Sequence, residues 1–479
     1  MDNRATSAQV ARSAELDRVV DALGGWSVGS GPMYRLLARA IARAIELGDL
    51  GRGARLPSER SLAPAIAVSR GVVVAAYDEL ESDGTIERRR GSGTFVAGSP
   101  DAGLPPGREG SALFGRLVQA PTASVIDLSI SVLHEARWLP DASVSAAAVA
   151  DPAADSPWGI PALRERVARG LTDHGLPSGP EQVVITTGAQ QGISIAVGCW
   201  VRPGDVVVVE DPTYPGVLSA LAAAGAVVRS VGVDRDGAVL AELEAALADR
   251  PALVYLQSGP HSPTGGRLSR HRREVIARWL GEGRIPLVED VALESVDWSG
   301  AAAPAPLAAR IPDHPVAVVG SFSKQFWAGL RVGFVRAPGP VASRLVRVKA
   351  THDLGSSTVS QAMALALLGH RGHARSLGRR NADLARRAAL LVDLLAEALP
   401  EWRCEVPTGG LSLWVQLPGP VAARFGDAAL RHGVAVATAD GLSLTGRHRD
   451  RLRLTFAVDE PDLRTAVARL AAAWAELAT

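Results

Sequence analysis

Three observations predict a multidomain chain: a small N-terminal α+β unit in winged helix-turn-helix order, then a large α/β unit with a smaller C-terminal α+β part. A Pro/Gly-rich stretch over residues 99–124 interrupts all periodicity and divides the 479 residues unequally. Before it, amphipathic helix signals are followed by a basic hairpin; after it, short Val/Ile/Leu-rich segments alternate with helical ones, as parallel strands joined by crossovers require. A chain of this length also exceeds one ordinary core. The expected divisions are 1–30 as an N-terminal extension, 31–98 as the small unit, 99–124 as a linker and 125–479 as the large unit. Within the large unit, the main part covers about residues 160–340 and the small part about 341–479.

The small unit opens with a helix from about Pro32 to Leu47, where Leu36, Leu37, Ala40, Ile41, Ala44 and Ile45 hold one stripe. Ser58 is placed to cap a second, short helix running to about Ile66. Ser69 is placed to cap a third helix that turns Val73, Ala76, Tyr77 and Leu80 inward and ends near Gly84. Residues Thr85 to Val96 read as two short strands around Gly91-Ser92-Gly93. In the large unit, strands are expected over Val183–Thr186, Val206–Glu210, Val227–Val231, Leu253–Gln257, Pro286–Glu289, Val316–Gly320 and Arg331–Val335. Helical stretches such as Gln190–Cys199 and Val217–Ala224 separate them. After Val341 the chain shifts to Arg/Ala/Leu helices and two late strands, Leu411–Gln416 and Arg451–Phe456.

Composition narrows the function classes. The net charge of +1 excludes a polybasic coat but leaves a local nucleic-acid patch open. Residues Met1 to Ala22 mix charges without an apolar core, so they are no signal peptide, and no run approaches the roughly 18 apolar residues of a membrane span. Cys199 and Cys404 lie far apart without His or Cys at metal spacing, which predicts free thiols, no zinc site and a reducing, cytoplasmic setting.

Two local patterns carry chemistry. In the small unit, Arg70 opens the third helix, where a recognition helix meets the major groove. Arg60 lies on the supporting helix, and Arg88, Arg89 and Arg90 flank the turn at Gly93. Residues 32–98 hold 10 Arg against 8 Asp plus Glu, a net of only +2, so the order of the elements rather than bulk charge indicates DNA. In the large unit, only two of the 51 basic residues are lysines. Lysine, unlike arginine, can lose its proton and attack an aldehyde. Lys324 follows an apolar strand, with Ser321 and Ser323 before it and Arg331 seven residues after, which places phosphate donors beside that amine. Lys349 has no such company and reads as structural or exposed.

The segments Pro57-Ser58-Glu59-Arg60, Val68-Ser69-Arg70 and Arg89-Arg90-Gly91-Ser92-Gly93-Thr94 resemble the winged-helix domain of the GntR family of transcriptional regulators. Two departures stand out. Pro64 lies inside the second helix, and Gly71 follows Arg70 where relatives carry a polar side chain. The large unit resembles fold-type I aminotransferases, which bind pyridoxal 5'-phosphate (PLP), and the fusion resembles the MocR-like subgroup of GntR. The resemblance implies a Schiff base at Lys324 and a PLP phosphate held by Gly188, Ala189, Gln190, Ser321, Ser323 and Arg331. It further implies Tyr214 stacked on the pyridine ring, Asp290 paired with the ring nitrogen, and Arg453 gripping an effector carboxylate.

The family's Asn-Pro-Thr-Gly is His261-Ser262-Pro263-Thr264-Gly265 here, so Ser262 takes the place of an asparagine that bonds the 3'-oxygen. The tyrosine often found shortly after the aspartate is missing from Val291-Ala292-Leu293-Glu294. His261 is either a substitute or a solvated loop histidine. Cofactor binding with poor or absent transamination is the consequence. The resulting expectation is a homodimeric regulator that reads paired DNA half-sites and senses a small amine, an amino acid or PLP itself through Lys324. Two alternatives are a PLP-dependent aminotransferase with a secondary DNA-binding domain, and a regulator whose large unit is only a dimerisation scaffold.

Overall fold

Apolar spacing of three and four residues builds the helices of the small unit. Helix Met33–Glu46 buries Leu37 and Ile41 against Tyr77 and Leu80 of helix Arg70–Ser82. The short helix Glu59–Ala65 lies between them in sequence; Ser58 caps it by accepting from the Ser61 N–H at 3.3 Å. Pro64 falls in its last turn, where a missing donor ends a helix rather than kinking its middle. Ser69 occupies the N-cap position of Arg70–Ser82, yet its hydroxyl makes no capping bond, contrary to expectation. The buried Tyr77 phenol donates to the Pro57 carbonyl at 2.9 Å and ties the third helix to the start of the second. Strands β1 (Arg55–Leu56), β2 (Ile86–Arg89) and β3 (Gly93–Val96) form an antiparallel sheet in the order β1-β3-β2. The hairpin was expected; β1 was not.

This computed structural model describes residues 31–46, 50, 54–89, 93–97, 125–134, 137–150 and 156–478, with residues 16, 19, 20, 22–24, 26 and 27 before them. The 99–124 stretch read as a linker, and Arg90, lie outside the described residues. The boundary placed at residue 31 needs correcting. Val19, Leu23 and Trp26 are buried in the same core as Leu37, Leu62 and Tyr77. The spacing of Val19 and Leu23 puts them on one helical face that this core covers.

After β4 (Ile126–Asp127), the large sheet comprises β5 (Val183–Thr186), β6 (Val206–Asp211), β7 (Val227–Asp234), β8 (Gly237–Ala238), β9 (Leu253–Gln257), β10 (Leu287–Asp290), β11 (Val316–Ser321) and β12 (Gly333–Arg336). Their order is β5-β12-β11-β10-β9-β6-β7-β8. Alternate residues feed two cores, Val254, Leu287 and Val318 on one face and Tyr255, Val288 and Val319 on the other, so both faces are covered. An all-parallel sheet was expected. Instead β12 runs antiparallel to both β11 and β5, and β8 folds back on β7.

The small part is built on β13 (Ser412–Gln416), β15 (Ala437–Thr438) and β16 (Arg451–Thr455), in the order β13-β16-β15; β14 (Val434–Ala435) pairs with β4. Its limits differ from the expected 341–479. Helix Gly339–Asp353 packs Ala342, Leu345 and Val346 into the large-sheet core with Val184 and Ile193, and helix Thr358–Gly369 packs Leu367 with Leu163. In the first of these helices the exposed Arg344 and Arg347 mark a solvent face, not a domain change, and the second carries no arginine. The small core begins within helix His373–Ala398, at Leu384, Ala388 and Leu391, and takes in Leu128 and Leu133 from the segment around β4.

Candidate functional site

Strands β6, β9, β10 and β11 are mutually parallel, and β5 shares their direction because β12 runs opposite to both its neighbours. Their C-terminal ends therefore open on one edge, the usual crevice of such sheets. That edge receives Gly188 after β5, Tyr214 after β6, Ser262 after β9, Asp290 at the end of β10 and Lys324 after β11. The reversed β12 starts there, which brings Arg331 in beside Gly188: a Cβ added to Gly188 would stand 3.4 Å from the Arg331 guanidinium.

Lys324 closes the one-turn helix Phe322–Gln325, and its Nζ donates to the Ser131 carbonyl. Burial pushes the amine down to about 8; Arg453 and Arg331 push the same way and Asp290 opposes them. Lys349 is structural, as one reading had it: fully buried, with its Nζ 2.9 Å from Asp353 Oδ1.

Asp290 is buried. Its Oδ1 accepts from the Ala292 N–H at 2.8 Å and its Oδ2 from the Tyr255 phenol at 2.6 Å. Burial raises its pKa against these hydrogen bonds. Tyr255 was missed in the sequence. The available signal was its place in the strand next to Asp290 in a chain with four tyrosines. The adjacent Glu289 points the other way and accepts from the Ser258 hydroxyl and the Leu307 and Ala308 N–H groups. Tyr214 is half-buried; burial pushes its phenol up to about 12, with Asp290 adding to the shift and Arg331 and Arg453 opposing it.

Gly188, at φ +112°, precedes helix Ala189–Trp200 and leaves that N-terminus without a side-chain cap, so its first N–H groups face an open anion position. Beside it, the Gln190 side chain donates to the Gly216 carbonyl at 2.9 Å. Ser321 is half-buried without a capping bond, and the buried Ser323 hydroxyl has no partner. Arg331 is exposed and donates to the Thr187 carbonyl at 3.1 Å.

The main chain of Ser262 is fixed by Gln257, N–H to Oε1 at 3.0 Å and carbonyl from Nε2 at 2.9 Å. His261 is buried rather than solvated. Its Nδ1 meets Thr264 Oγ1 at 2.9 Å, and its Nε2 lies 3.7 Å from Glu210 Oε2. Burial pushes His261 down to about 3, leaving it neutral, and pushes Glu210 up to about 8. Arg453 is buried on β16. It donates to the Ser129 carbonyl, its Nε has no partner, and no described carboxylate lies within ion-pair distance. Burial lowers it to about 10 while Tyr214 and Asp127 oppose the shift.

These residues fit PLP. An uncapped helix start, an unpaired serine hydroxyl and Arg331 suit a phosphate monoester. An amine pressed towards its neutral form suits an aldehyde, and a buried carboxylate suits a ring nitrogen.

In the small unit, Arg60, Ser69 and Arg70 are exposed at the starts of their helices. Arg88, expected on the DNA face, is engaged within the small unit. Its Nη1 lies 2.7 Å from both Asp78 and Glu81, with Glu59 at 3.9 Å from Nη2, so its charge is spent fastening the hairpin to the third helix. Arg89 pairs with Glu87 and stacks on Phe95 at 4.6 Å but stays half-exposed. Gly93, at φ +116°, lies under the exposed Arg55, a basic residue the sequence reading passed over. Among the described residues, no helix is long and apolar enough to cross a membrane.

Comparison with known proteins agrees with this division. Residues 33–96 match the family model "Bacterial regulatory proteins, gntR family", and residues 154–470 match "Aminotransferase class I and II". The chain is similar to the HTH-type pyridoxine biosynthesis transcriptional regulator PdxR of Corynebacterium glutamicum, 31% identical over 78% of this chain and 81% of PdxR. It is also similar to the probable rhizopine catabolism regulatory protein MocR of Rhizobium meliloti, 27% identical over 78% of each chain. Among solved structures, LysN, the α-aminoadipate aminotransferase of Thermus thermophilus complexed with N-(5'-phosphopyridoxyl)-L-leucine, aligns with a TM-score of 0.66. It is 27% identical, over 76% of this chain and 97% of LysN.

Proposed function

The chain belongs to the MocR-like regulators of the GntR family, PLP-binding transcriptional regulators, and on that footing we propose that it holds the cofactor on Lys324 and reports a small amine or amino acid to DNA. The observation that carries this reading is the setting of Lys324 on the crevice edge shared with Asp290 and Arg331, its Nζ turned to the Ser131 carbonyl, where burial, Arg453 and Arg331 hold the amine down to about 8 against Asp290. Gly188, Ala189, Gln190, Ser321, Ser323 and Arg331 would hold the phosphate, Asp290 the ring nitrogen, and Tyr214 a ring face. Bound there, PLP supplies an aldehyde able to exchange one amine for another.

The protein's own residues supply the rest. Arg453, buried without a carboxylate partner, is suited to an amino-acid carboxylate, and accepting one would relieve a costly unpaired charge. Because Arg453 lies on the small part and Lys324 on the large sheet, a ligand touching both favours the arrangement that brings them together. In a homodimer, that shift changes how two winged helices meet paired half-sites. Arg60, Ser69, Arg70, Arg89 and the turn at Gly93 form the proposed DNA face. The aminotransferase alternative is disfavoured by Ser262, which stands where the enzymes carry an asparagine, and by Val291-Ala292-Leu293-Glu294, which lacks the tyrosine they often carry shortly after the aspartate.

Adding PLP to the full chain should produce a visible absorbance band that Lys324→Ala abolishes, while Lys324→Ala still binds operator DNA. Persistence of the band in Lys324→Ala would refute the assignment of the lysine. Catalytic accumulation of keto acid from an amino acid would establish the enzyme reading instead.

A further inference from the structure

Arg380 is one of several buried cations outside the candidate site. It sits in the third turn of helix His373–Ala398, is 1% exposed, and has no carboxylate within ion-pair distance among the described residues. All its hydrogen bonds go to neutral oxygens. Nη1 donates to the carbonyls of Lys324, at 3.1 Å, and Gln325; Nη2 donates to the Ser295 carbonyl and to Asn381 Oδ1, the latter at 2.9 Å. Asn381 reinforces the grip from the next position, donating to the carbonyls of Ser295, at 3.2 Å, and Asp297, at 2.8 Å. Burying a guanidinium without an anion is expensive, and burial accordingly holds Arg380 down to about 10.

The targets explain the location. Lys324 and Gln325 end a one-turn helix whose last carbonyls have no donors within the helix, and Arg380 supplies them. Ser295 lies in the loop that follows β10 and its terminal Asp290. One side chain therefore fixes the main chain under the cofactor lysine relative to the segment leaving Asp290. His373, on the same helix, adds a contact to the Gln325 side chain at 3.1 Å. Two turns beyond Arg380, Arg387 donates to the Val458 carbonyl and to Asp459 Oδ1 at 3.1 Å, just past the strand that carries Arg453. The helix thus touches the Lys324 turn in its N-terminal part and the chain leaving Arg453 near its middle.

We propose that Arg380 is a positioning residue for Lys324, and that helix His373–Ala398 transmits displacement of the Arg453 strand to the cofactor amine through it. This rests on Lys324 being the cofactor lysine. It adds that the orientation of the amine depends on a contact from the helix shared with the small part.

The test uses the full-length protein with Arg380→Gln and Arg380→Lys, titrated with PLP across a pH series and followed by the visible band, with thermal melting in parallel. Arg380→Gln should bind PLP roughly tenfold more weakly. It should also move the pH midpoint of cofactor capture upward, towards that of an ordinary lysine, while operator binding by the winged helix persists. Arg380→Lys, keeping the charge but losing the fork, should recover part of both. A variant that melts earlier yet captures PLP with unchanged affinity and midpoint would reduce Arg380 to a packing element and overturn the proposal. Should Arg380→Gln fail to fold, Arg380→Lys decides on the same two readouts. If the wild type forms no band at all, the cofactor assignment itself fails and this inference falls with it.

Discussion

The Tyr255 phenol donates to Asp290 Oδ2 at 2.6 Å, across adjacent parallel strands in a buried layer. Tyr255 and Asp290 share a face because Tyr255 pairs with Val288, two residues before Asp290 on β10. The phenol stabilises the carboxylate that burial would otherwise protonate. Tyr255→Phe should therefore raise the Asp290 pKa further and cost about 1–3 kcal/mol of stability, the penalty for a buried acceptor left short of a donor. Chemical denaturation measures the second effect and PLP titration the first, since a protonated Asp290 cannot pair with a protonated ring nitrogen.

Cofactor capture should follow the neutral fraction of Lys324. With its pKa lowered from 10.5 to about 8, the observed rate constant for band formation should rise with pH and level off above about 8. The same shift bears on stability. Between about 8 and 10.5 the unfolded chain binds the proton that the folded chain has lost, so stability rises with pH across that window. In Lys324→Met this part of the slope should vanish, as denaturation midpoints over a pH series would reveal.

Glu210 predicts a slope of opposite sign. Its folded pKa is raised from 4.5 to about 8 by burial, so the folded state binds the extra proton and stability falls as pH rises through that interval. Glu210→Gln should flatten the profile there while keeping an acceptor for the Gln257 N–H. An unchanged slope would mean that Glu210 titrates normally.

Arg88 and Arg70 should separate stability from DNA binding. Arg88→Ala should lower the stability of the small unit by about 1 kcal/mol by breaking a partly exposed ion-pair network. Its log-log salt slope for DNA binding should remain close to that of the wild type. Arg70→Ala should weaken binding with little loss of stability and, if its partner is a phosphate, reduce that slope by about 1. Fluorescence anisotropy with operator DNA at several salt concentrations distinguishes the two.

Much of this was legible locally. Strands Val183–Thr186 and Leu253–Gln257 fall where β-branched and aliphatic runs end at Gly or Pro, and Lys324 was conspicuous because arginine had displaced nearly every other lysine. The ion pairs of Arg88 were not legible, because a charge run in sequence does not disclose that Asp78 and Glu81, on another element, face it. The limits of the small part were misplaced for a similar reason: Ala342, Leu345 and Leu367 pack against the large sheet, and composition does not name the surface a helix covers.

Periodicity, turn residues and residue chemistry act over a few positions, so the sequence alone determined most of the elements, the two-unit order and the amine on which the cofactor reading rests. Tertiary structure alone decided that β12 runs backwards and so delivers Arg331 to Gly188, that Tyr255 reaches Asp290, and that Arg380 holds the Lys324 turn. Each of these joins residues 35 to 143 positions apart. Strand direction and desolvation set such contacts, and neither is written in any local pattern.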